Sequence, residues 1–172
     1  MTNYFTCTGD AGESGIQFQR LQKTDPVFAA IGCVDELNAS LGVALAFVED
    51  LPVKEVLVST QNVLFTVGAE LAGAAKVRIT EQHVTDVETA VHNFSQGLKE
   101  QTTFLLPQGT KSAAFLHLAR TICRRAERSA RVLHETKPVN NELLRYLNRL
   151  SSLLFVLARY ENRNTEELAP RY

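Results

Sequence analysis

The chain has 172 residues, with 18 Lys and Arg against 19 Asp and Glu, for a formal net charge of -1 at pH 7. A length in this range suits one domain, here 1–172, with a core able to bury about 70% of the unfolded surface. The near-neutral balance excludes a general nucleic-acid binder, which spreads basic residues over a wide surface or tail. Without an apolar run of about 18 residues no membrane span is expected.

The opening MTNYFTCTGD lacks the charged and apolar regions of a secretion signal, so the chain is expected not to be exported. Cys7, Cys33 and Cys123 are odd in number and widely separated, without paired metal-ligand spacing. A reduced, cytoplasmic setting is expected.

Residues 1–24 are read as a loop segment. TGDAGESG places Gly9, Gly12 and Gly15 close together, and three glycines there make a helix costly. Asp25 followed by Pro26 then supplies an N-cap and first helical position, opening a bundle over 25–163. Ile31, Val34, Leu37, Leu41, Leu45 and Val48 recur every three or four residues behind it. Asn38 projects within that apolar arc and needs a hydrogen-bonding partner, as a core amide fixing bundle register would.

A second helix opens at Pro52 with Leu57, Gln61, Leu64, Gly68 and Leu71 as its seam, and weakens at Gly73. Thr80 caps a third carrying Val84, Val87, Val91 and Phe94, which ends through Gly97. After the connector TTFLLPQGT, a fourth begins near Lys111 or Ser112. Pro138 separates it from a fifth bearing Leu143, Leu147, Leu150, Leu154 and Leu157. Strand-like alternation is scarce and several connections are short, which points to an all-α, five-helix up-and-down bundle. Arg145, Asn148, Ser152 and Arg159 share the side of the fifth helix away from its leucines, with Phe155 beside them, a face suited to a second subunit.

The fourth helix holds the densest charge. RTICRRAERSAR places Arg120, Arg124, Glu127, Arg128 and Arg131 on one arc of about 100°, beside the apolar arc of Leu116, Ala119, Cys123, Ala126 and Ala130. A row of bidentate donors along a packed face suits a carboxylate or polyphosphate. The alternative is ordinary pairing of Glu127 with Arg124 and Arg131 on a solvated face. His83, His92, His117 and His134 form no compact ligand cluster, and no residue is assigned directly to a metal.

Taken in order, TCTGDAGES, GCVDELNASLG, FLLPQGT, RTICRRAER and YLNRLSSLLFVLAR closely resemble the PduO-type ATP:cob(I)alamin adenosyltransferases. The likeness runs from Tyr4 to about Asn162. It implies a five-helix bundle assembled as a homotrimer, with ATP bound between subunits and magnesium beside it. It also implies transfer of the 5′-deoxyadenosyl group of ATP to the cobalt of cob(I)alamin, releasing triphosphate. A corrinoid reductase and an adenosylcobalamin-dependent enzyme are the partners it admits; nucleic acid and membrane are not.

The resemblance carries over to particular residues. Thr6, Thr8, Gly9, Asp10, Gly12 and Ser14 correspond to the nucleotide-binding loop, and Lys23 to a phosphate-contacting lysine after it. Arg124 and Arg128 match residues at the polyphosphate. Glu127 corresponds to a group that orients an arginine or a magnesium-bound water, and Asn148 to a nucleotide-site asparagine. Asp35 and Arg120 match a salt bridge between subunits. Phe104 resembles the aromatic residue that lies against the corrin ring and displaces its lower axial ligand.

Three positions depart from the family pattern. Cys7 stands where Lys or Arg is usual, Gln108 replaces a glycine of a PGG turn, and Ser152 replaces an aspartate. These departures motivate a second reading, a diverged nucleotide or corrinoid carrier or sensor with little turnover. A third is a structural bundle using its arginine row to hold a protein or nucleic acid.

Overall fold

Helix starts in this chain are written by capping side chains and prolines. In the computed structural model, which describes residues 4–17, 19–74, 76–165 and 168–171, the elements in chain order are β1 (Glu13–Ile16), β2 (Gln19–Gln22), α1 (Pro26–Leu45), α2 (Leu51–Leu71), α3 (Glu81–Ser95), α4 (Lys111–Thr136) and α5 (Asn141–Glu161). Asp25 accepts the Val27 amide at 2.9 Å, Asp50 that of Val53 at 3.3 Å, Thr110 that of Ala113 at 3.1 Å and Asn140 that of Glu142 at 3.1 Å. Each such cap contributes about 1 kcal/mol. At α3 the Thr80 amide donates to His83 Nδ1 at 3.1 Å, with histidine in the place Glu or Gln usually takes in a capping box.

The expected all-α bundle forms, with α1 packed on α4, α4 on α5, α3 on α5 and α2 on α1. Its core includes Val34, Leu37 and Leu41 of α1, Leu57 and Leu64 of α2, Val84 of α3, Leu116 and Cys123 of α4, and Leu143, Leu147, Leu150, Leu154 and Leu157 of α5. α1 is the one described helix long and apolar enough to cross a membrane, and the face bearing Val34, Leu37 and Leu41 is spent on this core. Asn38 fulfils the register role expected of it. Its Nδ2 donates to the Gln61 carbonyl at 3.3 Å while Gln61 Nε2 donates to the Asn38 carbonyl at 3.1 Å, tying α1 to α2 by two bonds.

The amino-terminal segment differs from a plain loop. β1 and β2 form an antiparallel hairpin in the register Glu13↔Gln22 to Ile16↔Gln19. Ile16 is buried in the core and Leu21 packs against it. The strands are four residues each and largely polar, so pattern alone does not announce them. The hairpin lies beside the start of α1 and the end of α4, where Ile16, Leu21, Val27, Leu133 and Thr136 line one cleft.

The fifth helix also departs from its expected polarity. Arg159 is buried and donates from Nη2 to the Lys99 carbonyl at 2.8 Å, because the connector between α3 and α4 folds over that end of α5.

Candidate active site

The arginine row of α4 divides by environment. Arg124 and Arg128 are exposed and, among the described residues, have no carboxylate partner, so their guanidinium donors face outward. Arg125 is committed to Glu36 of α1. Arg131 donates from Nε to Glu127 Oε1 at 3.1 Å, the helical pairing expected of Glu127; Arg124 does not take part.

Glu127 is buried, and its second partner comes from α5. Asn148 Nδ2 lies 3.3 Å from Oε1 and 3.4 Å from Oε2. The carboxylate is thereby fixed between two helices, one turn from Arg124 and directly before Arg128 in the chain. Asn148 Oδ1 in turn accepts from Arg149 Nη1 at 2.9 Å, and Arg149 Nε donates to Glu88 of α3 at 2.8 Å, so the chain of contacts crosses three helices.

Arg120 lies on the same α4 face but is half-buried, with its guanidinium 5.9 Å from the ring centre of Phe155. Its Nε is buried without a hydrogen-bond partner. Burial first, and the neighbouring Arg124 charge second, hold its pKa below the ordinary arginine value. Asp35 is exposed elsewhere, in the groove where α1 meets Val58, Gln61 and Phe65 of α2. The two members of the expected salt bridge thus form no ion pair with each other within the chain.

In the amino-terminal loop, backbone bonds from Asp10 to Cys7 and from Gly12 to Gly9 make two successive turns. Gly12 holds φ of 85°, in the left-handed region that glycine enters without penalty. Cys7 holds φ of 57°, a conformation that costs a residue bearing a Cβ. Thr6 and Thr8 hydroxyls meet at 2.9 Å, and Arg20 donates to the Thr8 carbonyl. Lys23 Nζ donates to the Gly9 carbonyl at 2.8 Å, closing the loop from below; an ammonium has three donors, so two remain for an anion. The structure therefore brings Thr6, Thr8, Gly9, Asp10, Gly12, Ser14 and Lys23 together, and brings Arg124, Glu127, Arg128 and Asn148 together, as two separate clusters within one chain.

Phe104 is 76% exposed, near the middle of the α3–α4 connector. A cleft of about 300 Å³ opens beside it between the connector residues Gly97–Thr103 and Leu105 and the end of α5 at Arg159, Asn162 and Arg163.

Comparison with known proteins decides the family. A family model described as cobalamin adenosyltransferase matches residues 4–161. The chain belongs to this family. It is 38% identical to a corrinoid adenosyltransferase of Mycobacterium leprae, over 98% of this chain and 95% of that protein. To the corrinoid adenosyltransferase of Bacillus subtilis it is also 38% identical, over 92% and 86%. Among solved structures, a phenylalanine-to-alanine variant of a PduO-type ATP:corrinoid adenosyltransferase from Lactobacillus reuteri, complexed with cobalamin and ATP, superposes with a TM-score of 0.92 at 33% identity, covering 99% of this chain and all of that one. An arginine-to-lysine variant from the same organism, complexed with ATP, gives 0.90 at 34% identity, covering 98% of this chain and all of that one.

Against that membership, three features of this cobalamin adenosyltransferase family member escaped the sequence reading. They are the Asn148–Glu127 bond, the burial of Arg159 and the contacts of Asn162. The faint signal for the last was a polar residue directly after α5 and a glycine directly before Thr110 at the head of α4.

Proposed function

We propose that two half-sites from adjacent protomers of a homotrimer enclose ATP, the loop Thr6–Ser14 with Lys23 from one and Arg124, Glu127, Arg128 and Asn148 from the next. The protein is an ATP:corrinoid adenosyltransferase. Reduced cobalt of cob(I)alamin attacks C5′ of ATP; the Co–C bond forms as the C5′–O bond breaks, and the oxygen keeps the electron pair and leaves with the triphosphate. Charge builds on the leaving group and not on a transferring phosphoryl, so catalysis calls for alignment of C5′ with the metal and donors aimed at the triphosphate.

The observation that carries the residue assignment is the pair of exposed guanidiniums flanking a buried, fully engaged Glu127. Arg124 and Arg128 have donors to spare, while Glu127 is spoken for by Arg131 and Asn148. Arg124 supplies the main contact to the leaving triphosphate and Arg128 supports it.

Among the described residues no group of three His, Cys, Asp or Glu is placed to hold a metal. A magnesium ion arriving with ATP would be held by the nucleotide and water, and Glu127, engaged by Arg131 and Asn148, would orient a water bound to it. Asp35 of one protomer and Arg120 of its neighbour pair across the interface, giving the orphaned Arg120 Nε an acceptor. Phe104 lies against the corrin and excludes its lower axial ligand, which removes electron donation that opposes reduction of the cobalt. Three free cysteines fit a cytoplasmic setting.

Single-turnover formation of the cobalt–carbon bond from ATP and chemically reduced cobalamin tests the reading. Stoichiometric adenosylcobalamin and triphosphate support it, and ATP binding without product favours the carrier or sensor.

A further inference from the structure

Asn162 caps the C-terminus of α5 and is buried, although its sequence neighbours Arg163 and Asn164 are exposed. Its amide faces the connector that carries Phe104. Oδ1 accepts the Thr110 amide at 3.0 Å, and Nδ2 donates to the Gln108 carbonyl at 2.8 Å. Both ends of one planar amide are therefore used on residues that bracket Gly109, 54 and 52 positions away in sequence. Because the amide lies so close, Gly109 has no room for a side chain. A Cβ built there sits 2.1 Å from Oδ1 and 2.4 Å from Nδ2 of Asn162, and φ of 123° is one that a Cβ-bearing residue rarely adopts.

Two more contacts hold the same connector. Arg159, one turn earlier on α5, donates to the Lys99 carbonyl at 2.8 Å, and the Leu106 amide donates to the Leu168 carbonyl at 2.8 Å. Phe104 is flanked by these anchors but is itself 76% exposed, so its position is set by the backbone on either side and not by burial of its ring.

We propose that Asn162 is a positioning residue for the corrinoid half of the reaction: by clamping Gln108 and Thr110 around Gly109, it fixes the loop from which Phe104 meets the corrin ring. The inference rests on the role given to Phe104 above and adds the group that aims it. It also accounts for the tolerance of Gln108 where a glycine is usual. The clamp uses only the carbonyl of residue 108, and its exposed side chain is free to vary, whereas a side chain at residue 109 would meet Asn162.

The clamp lies 14 residues from Asn148 along the same helix axis, about 21 Å at 1.5 Å per residue, so the two ends can be probed separately. The test compares Asn162→Ala, Asn162→Asp and Phe104→Ala with the parent protein. Asn162→Asp keeps the acceptor for Thr110 but sets a carboxylate against the Gln108 carbonyl. Three readouts are taken: the dissociation constant for ATP, the fraction of cob(II)alamin converted to the four-coordinate form in the ATP complex by electron paramagnetic resonance, and kcat with KM for each substrate.

The expected result is an ATP constant within about twofold of the parent, a four-coordinate fraction lowered toward that of Phe104→Ala, and kcat down on the order of 10- to 100-fold, the cost typical of a misplaced reacting group. Gly109→Ala should give the same pattern, and adding it to Asn162→Ala should bring only the further cost of an alanine at φ of 123°, because both changes break the same contact. Parent-like four-coordinate signal and kcat in both Asn162 variants, with Phe104→Ala impaired, would overturn the clamp while sparing the role of Phe104. A parent-like Phe104→Ala would overturn both. Equal losses in ATP binding and in the cobalt signal would mark Asn162 as a general stability residue and also sink the proposal.

Discussion

Asn148 of α5 places its amide nitrogen within 3.4 Å of both carboxylate oxygens of Glu127 on α4, and Arg131 closes on the same carboxylate from the next turn. Removing Asn148 leaves a buried carboxylate with one partner fewer, which costs about 1–3 kcal/mol. Asn148→Ala is therefore expected to lower the melting temperature and to weaken ATP binding by about tenfold or more. Isothermal titration of ATP into the variant checks this; an unchanged affinity would remove Asn148 from the nucleotide site.

Arg124 and Arg120 should fail in different ways. With its donors exposed, Arg124→Ala is expected to form almost no adenosylcobalamin in a single turnover while sedimenting like the parent. Arg120→Ala removes the partner proposed for the neighbour's Asp35, so its assembly should dissociate at protein concentrations where the parent stays associated. Sedimentation velocity over a dilution series, run beside the turnover assay, separates the two.

Cys7 stands exposed, at φ of 57°, in the loop proposed to hold the nucleotide. Cys7→Lys places a cation there and is expected to tighten ATP by about 1–3 kcal/mol, the range for a charge-assisted hydrogen bond. Cys7→Gly should relieve backbone strain without that gain. Equal ATP constants for Cys7→Lys and Cys7→Gly would show that residue 7 does not reach the triphosphate.

Cys123 is fully buried, and burial, helped by the Glu127 charge, pushes its thiol well above the ordinary range. The folded state then keeps a proton that the unfolded state loses near pH 8.5. The stability this gives is complete below that value and is lost as pH rises beyond it. Cys123→Ala should lose less stability between about pH 8 and 10 than the parent does, whatever its deficit at pH 7. Denaturant melts at both pH values test the sign. In the folded protein at pH 8, a thiol reagent should modify Cys7 quickly and Cys123 last.

The helices were legible because most of their starts are marked locally: Asp25 with Pro26, Pro52, Thr80, and Pro138 between the fourth and fifth. A cap and its partner amide lie within three residues, so no distant information is needed. The hairpin was not, since β1 and β2 offer only Ile16 and Leu21 as inward apolar residues and their pairing depends on turns that composition reads as loop. Arg159 was placed on an outward face because helical periodicity knows nothing of a connector folding back from 60 residues earlier. The same holds at the site. The arginine row could be read from spacing on α4, but Glu127 with Asn148 is a contact between helices 21 residues apart, and the clamp on Gly109 needs the α3–α4 connector and the tail of α5 together.

Gly109 and Asn162 also carry a message about descent. A lineage that replaces the glycine must shorten the asparagine or shift the end of α5 and also rebuild the turn that holds φ of 123°, so losing the asparagine lifts only the steric part of the demand for a bare backbone at 109. Across homologues the two positions should drift as a pair, and residue 108, whose side chain the amide never meets, should wander on its own.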